Sequence, residues 1–286
     1  MKIGIIGNGF VGKAVEESFK NHYDLYIYDK DKNKSNTTFI SLVDNCRIIF
    51  LCLPTPMNHN GSCHLGILEE VLEKINSHCG DKNYFGIEFR TIVIKSTIIP
   101  GTTEKWNKMW KNIDIAFNPE FLTEANSIED FKNQNRIIIG AKRKVGSTVK
   151  NIYSKVFPKV PIIKTSSTIA EMVKYFTNCF LVTKVSFANE MYEVCESLDI
   201  DYDKVVEYAK YDERIGKSHL NVPGPDGDFG YGGHCFPKDV NALKSMMREM
   251  GLSPEILEAI DNKNRKIRIN RDWEKQEGRA VINNKK

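Results

Sequence analysis

What the sequence lacks narrows the reading first. No apolar run reaches the roughly 20 residues that a membrane-spanning helix needs. The opening Met1-Lys2-Ile3-Gly4-Ile5-Ile6-Gly7 is too short an apolar stretch for a secretory signal, and no small-residue cleavage site follows it. A cytoplasmic protein with no membrane partner is expected. The charge has no dominant sign: 41 Lys and Arg against 37 Asp and Glu leave +4, interspersed until the basic stretch at 262–268. Nucleic acid asks for a clustered basic footprint, so no nucleic-acid partner is expected. The seven cysteines (46, 52, 63, 79, 179, 195 and 235) contain no Cys-x-x-Cys and no paired metal spacing. That pattern reads as thiols outside disulfides and as no metal site. With 41% apolar and 27% charged residues, disordered, collagenous and coiled-coil classes are excluded. A chain of 286 residues makes one large or two modest domains.

What is present falls into two halves. Over residues 1–163, short β-branched runs (Lys2–Ile6, Tyr26–Tyr28, Ile48–Leu53, Thr91–Ile94, Ile113–Phe117, Ile137–Ile139) alternate with helical stretches at Phe10–Asn21, Leu65–His78, Thr102–Lys111 and Val145–Phe157. Val160–Ile163 reads as a last strand. Several runs are apolar throughout, as strands covered on both faces are. The pattern predicts an α/β domain with a doubly wound, Rossmann-type parallel sheet. From Ser166 to Leu198 there are 33 residues without Pro or Gly, and the apolar ones recur at helical spacing. This predicts one long helix over 166–198, forming the seam of a homodimer, within an all-helical domain over 164–286. Short helices are expected at Asp203–Lys210, Val240–Met250 and Pro254–Ile267. Between Gly216 and Asp239 lies a loop dense in Gly and Pro. The polar tail Asp261–Lys286 is expected to wrap a neighbouring subunit or to lie disordered.

Gly7-Asn8-Gly9-Phe10-Val11-Gly12 is G-x-G-x-x-G, placed after a strand and at the start of a helix. Each glycine has a task. Gly7 permits the tight turn, Gly9 lets a pyrophosphate approach the backbone, and Gly12 lets the helix pack closely on its strand. The helix N-terminus offers amides to phosphate. Asp29 ends the next strand, 22 residues after Gly7, and can accept from ribose hydroxyls while repelling a 2′-phosphate. NAD is the expected cofactor. Three further strand ends carry polar or Pro-containing turns: Leu53-Pro54-Thr55-Pro56, Ser96-Thr97-Ile98-Ile99-Pro100-Gly101 and Asn118-Pro119-Glu120-Phe121-Leu122-Thr123-Glu124. Ligands of such sheets sit at these carboxyl ends, where Pro54, Thr55 and Thr97 can meet the cofactor.

These motifs, in this order, resemble those of the UDP-glucose/GDP-mannose 6-dehydrogenases. The resemblance continues through Glu171-Met172-Val173-Lys174-Tyr175-Phe176-Thr177-Asn178 and Phe187-Ala188-Asn189-Glu190. It ends in Phe229-Gly230-Tyr231-Gly232-Gly233-His234-Cys235-Phe236-Pro237-Lys238-Asp239, similar to that family's nucleophile loop. It covers nearly all of residues 1–250. It implies an NAD-dependent, four-electron oxidation of a nucleotide sugar at C6, with UDP-glucose to UDP-glucuronate as the expected case. The usual member carries a further C-terminal domain of roughly 100 residues that helps bind the nucleotide. This chain is expected to lack it, with 222–228 contributing in its place.

The residues can be read for that chemistry. A thiolate can capture the intermediate aldehyde as a thiohemiacetal that is oxidised to a thioester, and Cys235 is the candidate. Its glycine-rich approach admits a substrate close to the backbone. Lys238 and the neighbouring cofactor charge are expected to lower the pKa of the thiol. Asp239, with Thr97, is expected to hold the hydrolytic water. Lys174 and Asn178, four apart on one helix face, suit an oxygen that gains negative charge. Glu124 is expected to take part in proton transfer, and Glu120 to order its loop or bond the substrate. Phe121, Leu122, Phe229, Tyr231 and Gly232 are expected at the sugar nucleotide. Arg214 is either structural or reaches a phosphate. The group that takes the first hydroxyl proton stays open. Two other readings compete: a two-electron 3-hydroxyacid or 6-phosphogluconate type dehydrogenase, and a non-catalytic NAD-binding remnant.

Overall fold

The computed structural model describes residues 1–82 and 89–282. Two compact units emerge, one of Met1–Thr55 with Leu65–Lys174, the other of Pro56–His64 with Tyr175–Lys286.

The first unit is built on a seven-stranded sheet of β1 (Lys2–Ile6), β2 (Asp24–Tyr28), β3 (Ile48–Leu51), β4 (Arg90–Ile94), β5 (Ile113–Phe117), β6 (Ile137–Gly140) and β7 (Ile162–Thr165), in the order β2-β1-β3-β4-β5-β6-β7. All neighbours run parallel except β5 and β6, which pair antiparallel through Phe117 and Gly140. The doubly wound parallel sheet expected from the sequence is present, with this one antiparallel ladder in it. Side chains alternate across each strand and divide into two cores. Ile3, Ile5, Ile48, Phe50 and Val93 face α1 (Phe10–Phe19), α5 (Ser127–Lys132) and α6 (Arg143–Val156). Ile6, Ile49, Leu51, Ile92 and Ile94 face α2 (Phe39–Asn45), α3 (Gly66–Lys82) and α4 (Thr102–Met109). Strands covered on both faces read as continuous apolar runs, which is why they were legible. The helices α2 and α5 were not foreseen. Both are under eight residues, too short for a periodicity to declare itself, though Thr38 caps α2 by accepting from the Ser41 amide at 3.2 Å.

The long helix α7 spans Ser167–Ser197. Its first turns belong to the first unit. There the buried Glu171 carboxylate accepts from the Gly101 amide (2.6 Å) and the Thr103 amide (2.9 Å) at the start of α4. From Tyr175 the helix belongs to the second unit, with α8 (Tyr202–Ala209), α9 (Cys235–Glu249) and α10 (Glu255–Ile267). The helix α9 starts at Cys235, not at Val240, so residues 235–239 are helical rather than part of a loop. Pro237 is tolerated because the first-turn amides of a helix have no intrahelical partner. The polar tail is corrected as well. After α10 it turns back on its own unit, burying Trp273 and Ala280. The Met57 amide donates to the Ala280 carbonyl at 2.7 Å, and the Ile282 amide to the Met57 carbonyl at 3.0 Å. Residues 283–286 of that tail lie outside the described residues. No helix among the described residues is long and apolar enough to cross a membrane.

Candidate active site

In the first unit the strand order reverses about β1, placing the β1 and β3 turns side by side at the sheet's carboxyl edge. Gly7 takes φ +90°, a left-handed conformation that favours glycine. A Cβ on Gly12 would lie 2.0 Å from the Gly7 carbonyl oxygen, so only glycine fits there. A Cβ on Gly9 would meet nothing within 4 Å, because that position opens outward. Asp29 is fixed by accepting from the Asn8 amide (2.6 Å) and the Asp31 amide (2.9 Å), which leaves further lone pairs on each oxygen. The Asn8 side-chain oxygen is buried without a partner. An open glycine cradle, an uncapped helix start flanked by Phe10 and Val11, and an acceptor at the end of β2 together fit a dinucleotide. Beside it, Thr55 donates from its hydroxyl to the Thr97 carbonyl (2.9 Å), and Ser96 to the Leu53 carbonyl (2.6 Å). These bonds tie the β3 and β4 turns together. Thr55 and Thr97 are buried, and Pro54 is exposed.

The turn after β5 holds a buried polar network. Lys174 donates to the Glu120 carbonyl at 2.6 Å and to the Glu120 carboxylate at 3.0 Å. The other carboxylate oxygen accepts from the Leu122 amide at 2.7 Å. Burial pushes the Glu120 carboxyl up, but Lys174, the Leu122 amide and Lys95 outweigh it and hold the group below its ordinary value. Lys174 lies 5.5 Å from the Phe121 ring centroid. Lys95, 3% exposed, donates to Asn118 Oδ1 at 2.8 Å, and the Tyr153 hydroxyl donates to the same oxygen. Burial lowers the Lys95 ammonium to about 8. Glu124, expected to work beside Glu120, is exposed. Lys174 pairs with the buried Glu120 of this turn.

In the second unit the chemistry gathers at the first turn of α9. Asn178, on α7, donates from its amide to Asp239 Oδ2 at 2.6 Å. Lys238 donates to Asp239 Oδ1 at 2.5 Å. Asp239 is 1% exposed, so its charge is compensated on both oxygens. Burial pulls the Lys238 ammonium down, yet Asp239 and the Cys235 and Cys63 sulfurs together hold it above its ordinary range. Lys238 is therefore within electrostatic reach of Cys235, which is half-buried at the start of the helix. Tyr231 is buried against Val240 and Leu257, and Phe229 packs on Tyr192 with ring centroids 5.7 Å apart. Gly232 is crowded, since a Cβ there would lie 2.2 Å from the Arg268 guanidinium. Arg214 is not part of this gathering. Its side chain is 89% exposed and pairs with Asp212.

Several residues of these networks escaped the sequence reading: Lys95, Glu171 as a cap for α4, Asn189, Asn264, Arg268 and Asp272. Lys95 left a signal, as a cation closing an apolar strand run that burial obliges to find partners.

The matching family models are described as the UDP-glucose/GDP-mannose dehydrogenase family, NAD binding domain, over residues 26–157, and the same family's central domain, over residues 168–266. A UDP-glucose 6-dehydrogenase of Haloferax volcanii is 31% identical, over 91% of this chain and 68% of its own. One from Rickettsia bellii is 32% identical, over 88% of this chain and 56% of its own. The solved structure of a UDP-glucose dehydrogenase from Pyrobaculum islandicum superposes with a TM-score of 0.83 at 26% identity, covering 93% of this chain and 68% of that one.

Proposed function

Because the chain belongs to the UDP-glucose/GDP-mannose dehydrogenase family and carries that family's NAD binding domain, we propose that it oxidises the C6 hydroxyl of a nucleotide sugar to a carboxylate, with UDP-glucose as substrate and UDP-glucuronate as product. The first unit is the NAD-binding domain of this reading and the second the substrate domain. Gly7, Asn8, Gly9, Phe10, Val11, Gly12, Asp29, Pro54, Thr55 and Thr97 hold the NAD. When bound, NAD accepts a hydride from C6 in each of two oxidations.

The protein's own part is to keep the half-oxidised sugar and then release it. The Cys235 thiolate adds to the C6 aldehyde, forming a C–S bond and a thiohemiacetal whose oxygen carries the new negative charge. Lys174 and Asn178 stabilise that oxygen by charge and by hydrogen bonding. After the second hydride leaves, C6 is a thioester on Cys235. Asp239 and Thr97 hold the water that attacks it. The C–S bond breaks, the thiol is restored, and the carboxylate departs. Glu120 holds the Lys174 ammonium in place, and Glu124 serves proton transfer during hydrolysis. The observation that supports this reading most directly is the buried Asn178–Asp239–Lys238 network in the turn of α9 that opens with Cys235.

The exposed face of α7 supports a homodimer. Phe176, Phe180 and Phe187 are each more than half exposed, and the Phe176 and Phe180 rings stack with centroids 6.2 Å apart. An apolar stripe of this kind marks an association surface.

The test is stoichiometric. Purified protein with NAD and UDP-glucose is expected to form two NADH per sugar consumed, and Cys235→Ser to abolish turnover. One NADH per substrate, or full activity in the serine variant, overturns the thioester route. A screen of UDP- and GDP-sugars assigns the substrate.

A further inference from the structure

The glycine-rich approach to Cys235 is held by side chains from three elements. The Gly230 amide donates to Asn189 Oδ1 of α7 at 3.1 Å. Asn264 of α10 both accepts from the Tyr231 amide (2.8 Å) and donates to the Tyr231 carbonyl (2.9 Å). The last support comes from beyond α10. The Gly233 amide donates to both oxygens of Asp272, at 3.1 and 3.0 Å. Gly233 has φ +69° and stands two residues before Cys235, so this bond fixes the final left-handed turn before the thiol.

Asp272 is itself braced. The Arg268 side chain is 2% exposed. Its guanidinium pairs with Asp226 at 2.5 Å, with Asp272 at 3.6 Å and with Asp228 at 3.8 Å. It also donates to the Phe229 carbonyl at 3.3 Å. A buried arginine shared among three carboxylates and a loop carbonyl holds both sides of the glycine loop with one planar group. Trp273, next to Asp272, is buried and anchors the segment. A loop this rich in glycine has a large conformational entropy to lose, and these contacts restrict it.

We infer that Asp272, braced by Arg268, is a positioning residue for Cys235: it fixes the Gly232–Gly233 turn and so presents the thiol in one place. The inference rests on the assignment of Cys235 as nucleophile. Displacing a reacting group by about 1 Å can cost on the order of 100-fold in rate. Asp272→Ala is therefore expected to lower kcat about 10- to 100-fold with the KM for NAD unchanged, since Asp272 lies outside the glycine turn assigned to NAD. Asp272→Asn keeps one oxygen acceptor for Gly233 and is expected to recover most of that loss.

The deciding measurement does not depend on the substrate. The rate of Cys235 alkylation by iodoacetamide is followed by peptide mass spectrometry in the unaltered chain and in both variants. A change of threefold or more at Cys235 in Asp272→Ala, with the other six cysteines unchanged and the rate restored in Asp272→Asn, supports the inference. An unchanged Cys235 rate, or equal changes at all cysteines, overturns it. If Asp272→Ala does not fold, Asp272→Ser replaces it, its hydroxyl being too short to span to Gly233. Absence of turnover on every nucleotide sugar, with the alkylation pattern as expected, would sink the proposed reaction and leave the positioning role standing.

Discussion

The Asn178 amide donates to the Asp239 carboxylate at 2.6 Å, joining the long helix α7 to the first turn of α9 inside the second unit. Asp239 spends its other oxygen on Lys238. One buried carboxylate thus fixes both an amide and an ammonium near the half-buried Cys235, and neither neighbour is free to swing away.

Removing that carboxylate charge should be costly. Asp239→Asn preserves the shape but leaves the Lys238 ammonium buried without its counter-charge, a loss of about 3–5 kcal/mol. Asn178→Ala removes one hydrogen bond to a charged group and should cost less, about 1.5–3 kcal/mol. Urea unfolding of the two variants is expected to give that order, and the reverse order would show that Lys238 is held by something else.

The Lys174–Glu120 pair predicts non-additivity. Lys174→Met strands the buried Glu120 carboxylate and should destabilise the protein by about 3–5 kcal/mol. Lys174→Met combined with Glu120→Gln removes both charges and is expected to be more stable than Lys174→Met alone. A double variant as unstable as the sum of the two single ones would contradict the pairing.

Lys95 sets a pH dependence. Its folded-state value is lowered by burial to about 8, and the Cys52 sulfur, Glu120, Lys174 and the Tyr153 hydroxyl lie around it. An unfolded lysine titrates near 10.4. Between these values the unfolded chain binds more protons at this site, so stability attributable to it rises with pH from about 8 to about 10.4. Below 8 the cost of burying the charge is present in full. Compared with Lys95→Met, the unaltered protein should therefore gain up to about 3 kcal/mol across that window. Parallel stability curves for the two proteins would count against this.

The glycine turn predicts opposite outcomes at two positions. Gly12→Ala sets a Cβ 2.0 Å from the Gly7 carbonyl and should lower both stability and NAD affinity. Gly9→Ala meets no protein atom within 4 Å, so its unfolding midpoint should stay put. Its NAD affinity should fall by at least about tenfold, because the added methyl occupies the pyrophosphate's approach. Calorimetric titration with NAD separates the two.

The dimer proposal is checked on the stacked pair. Phe176→Ser with Phe180→Ser is expected to elute as a monomer at micromolar concentration, with an unchanged circular dichroism spectrum. A variant that keeps the size of the unaltered chain would place the association elsewhere.

The alternating first half, the dinucleotide turn and the long helix all follow from the order of residues alone. Each is written in local terms: a period of two or of 3.6, a glycine where no Cβ fits, or an unbroken absence of Pro and Gly. The candidate residues Cys235, Asp239, Lys174 and Asn178 could be picked out because they lie in short contiguous motifs that resemble those of the family. The partners those side chains take emerge only once the chain is folded. The Lys174 ammonium pairs with Glu120, which the turn after β5 buries, whereas Glu124 in the same turn is exposed. Arg268 and Asp272 reach the glycine loop from about 40 residues downstream, and no local pattern carries a contact of that sequence separation. The antiparallel β5–β6 ladder escaped likewise, since strand direction is set by how the chain returns to the sheet and leaves no mark on the strand's own residues.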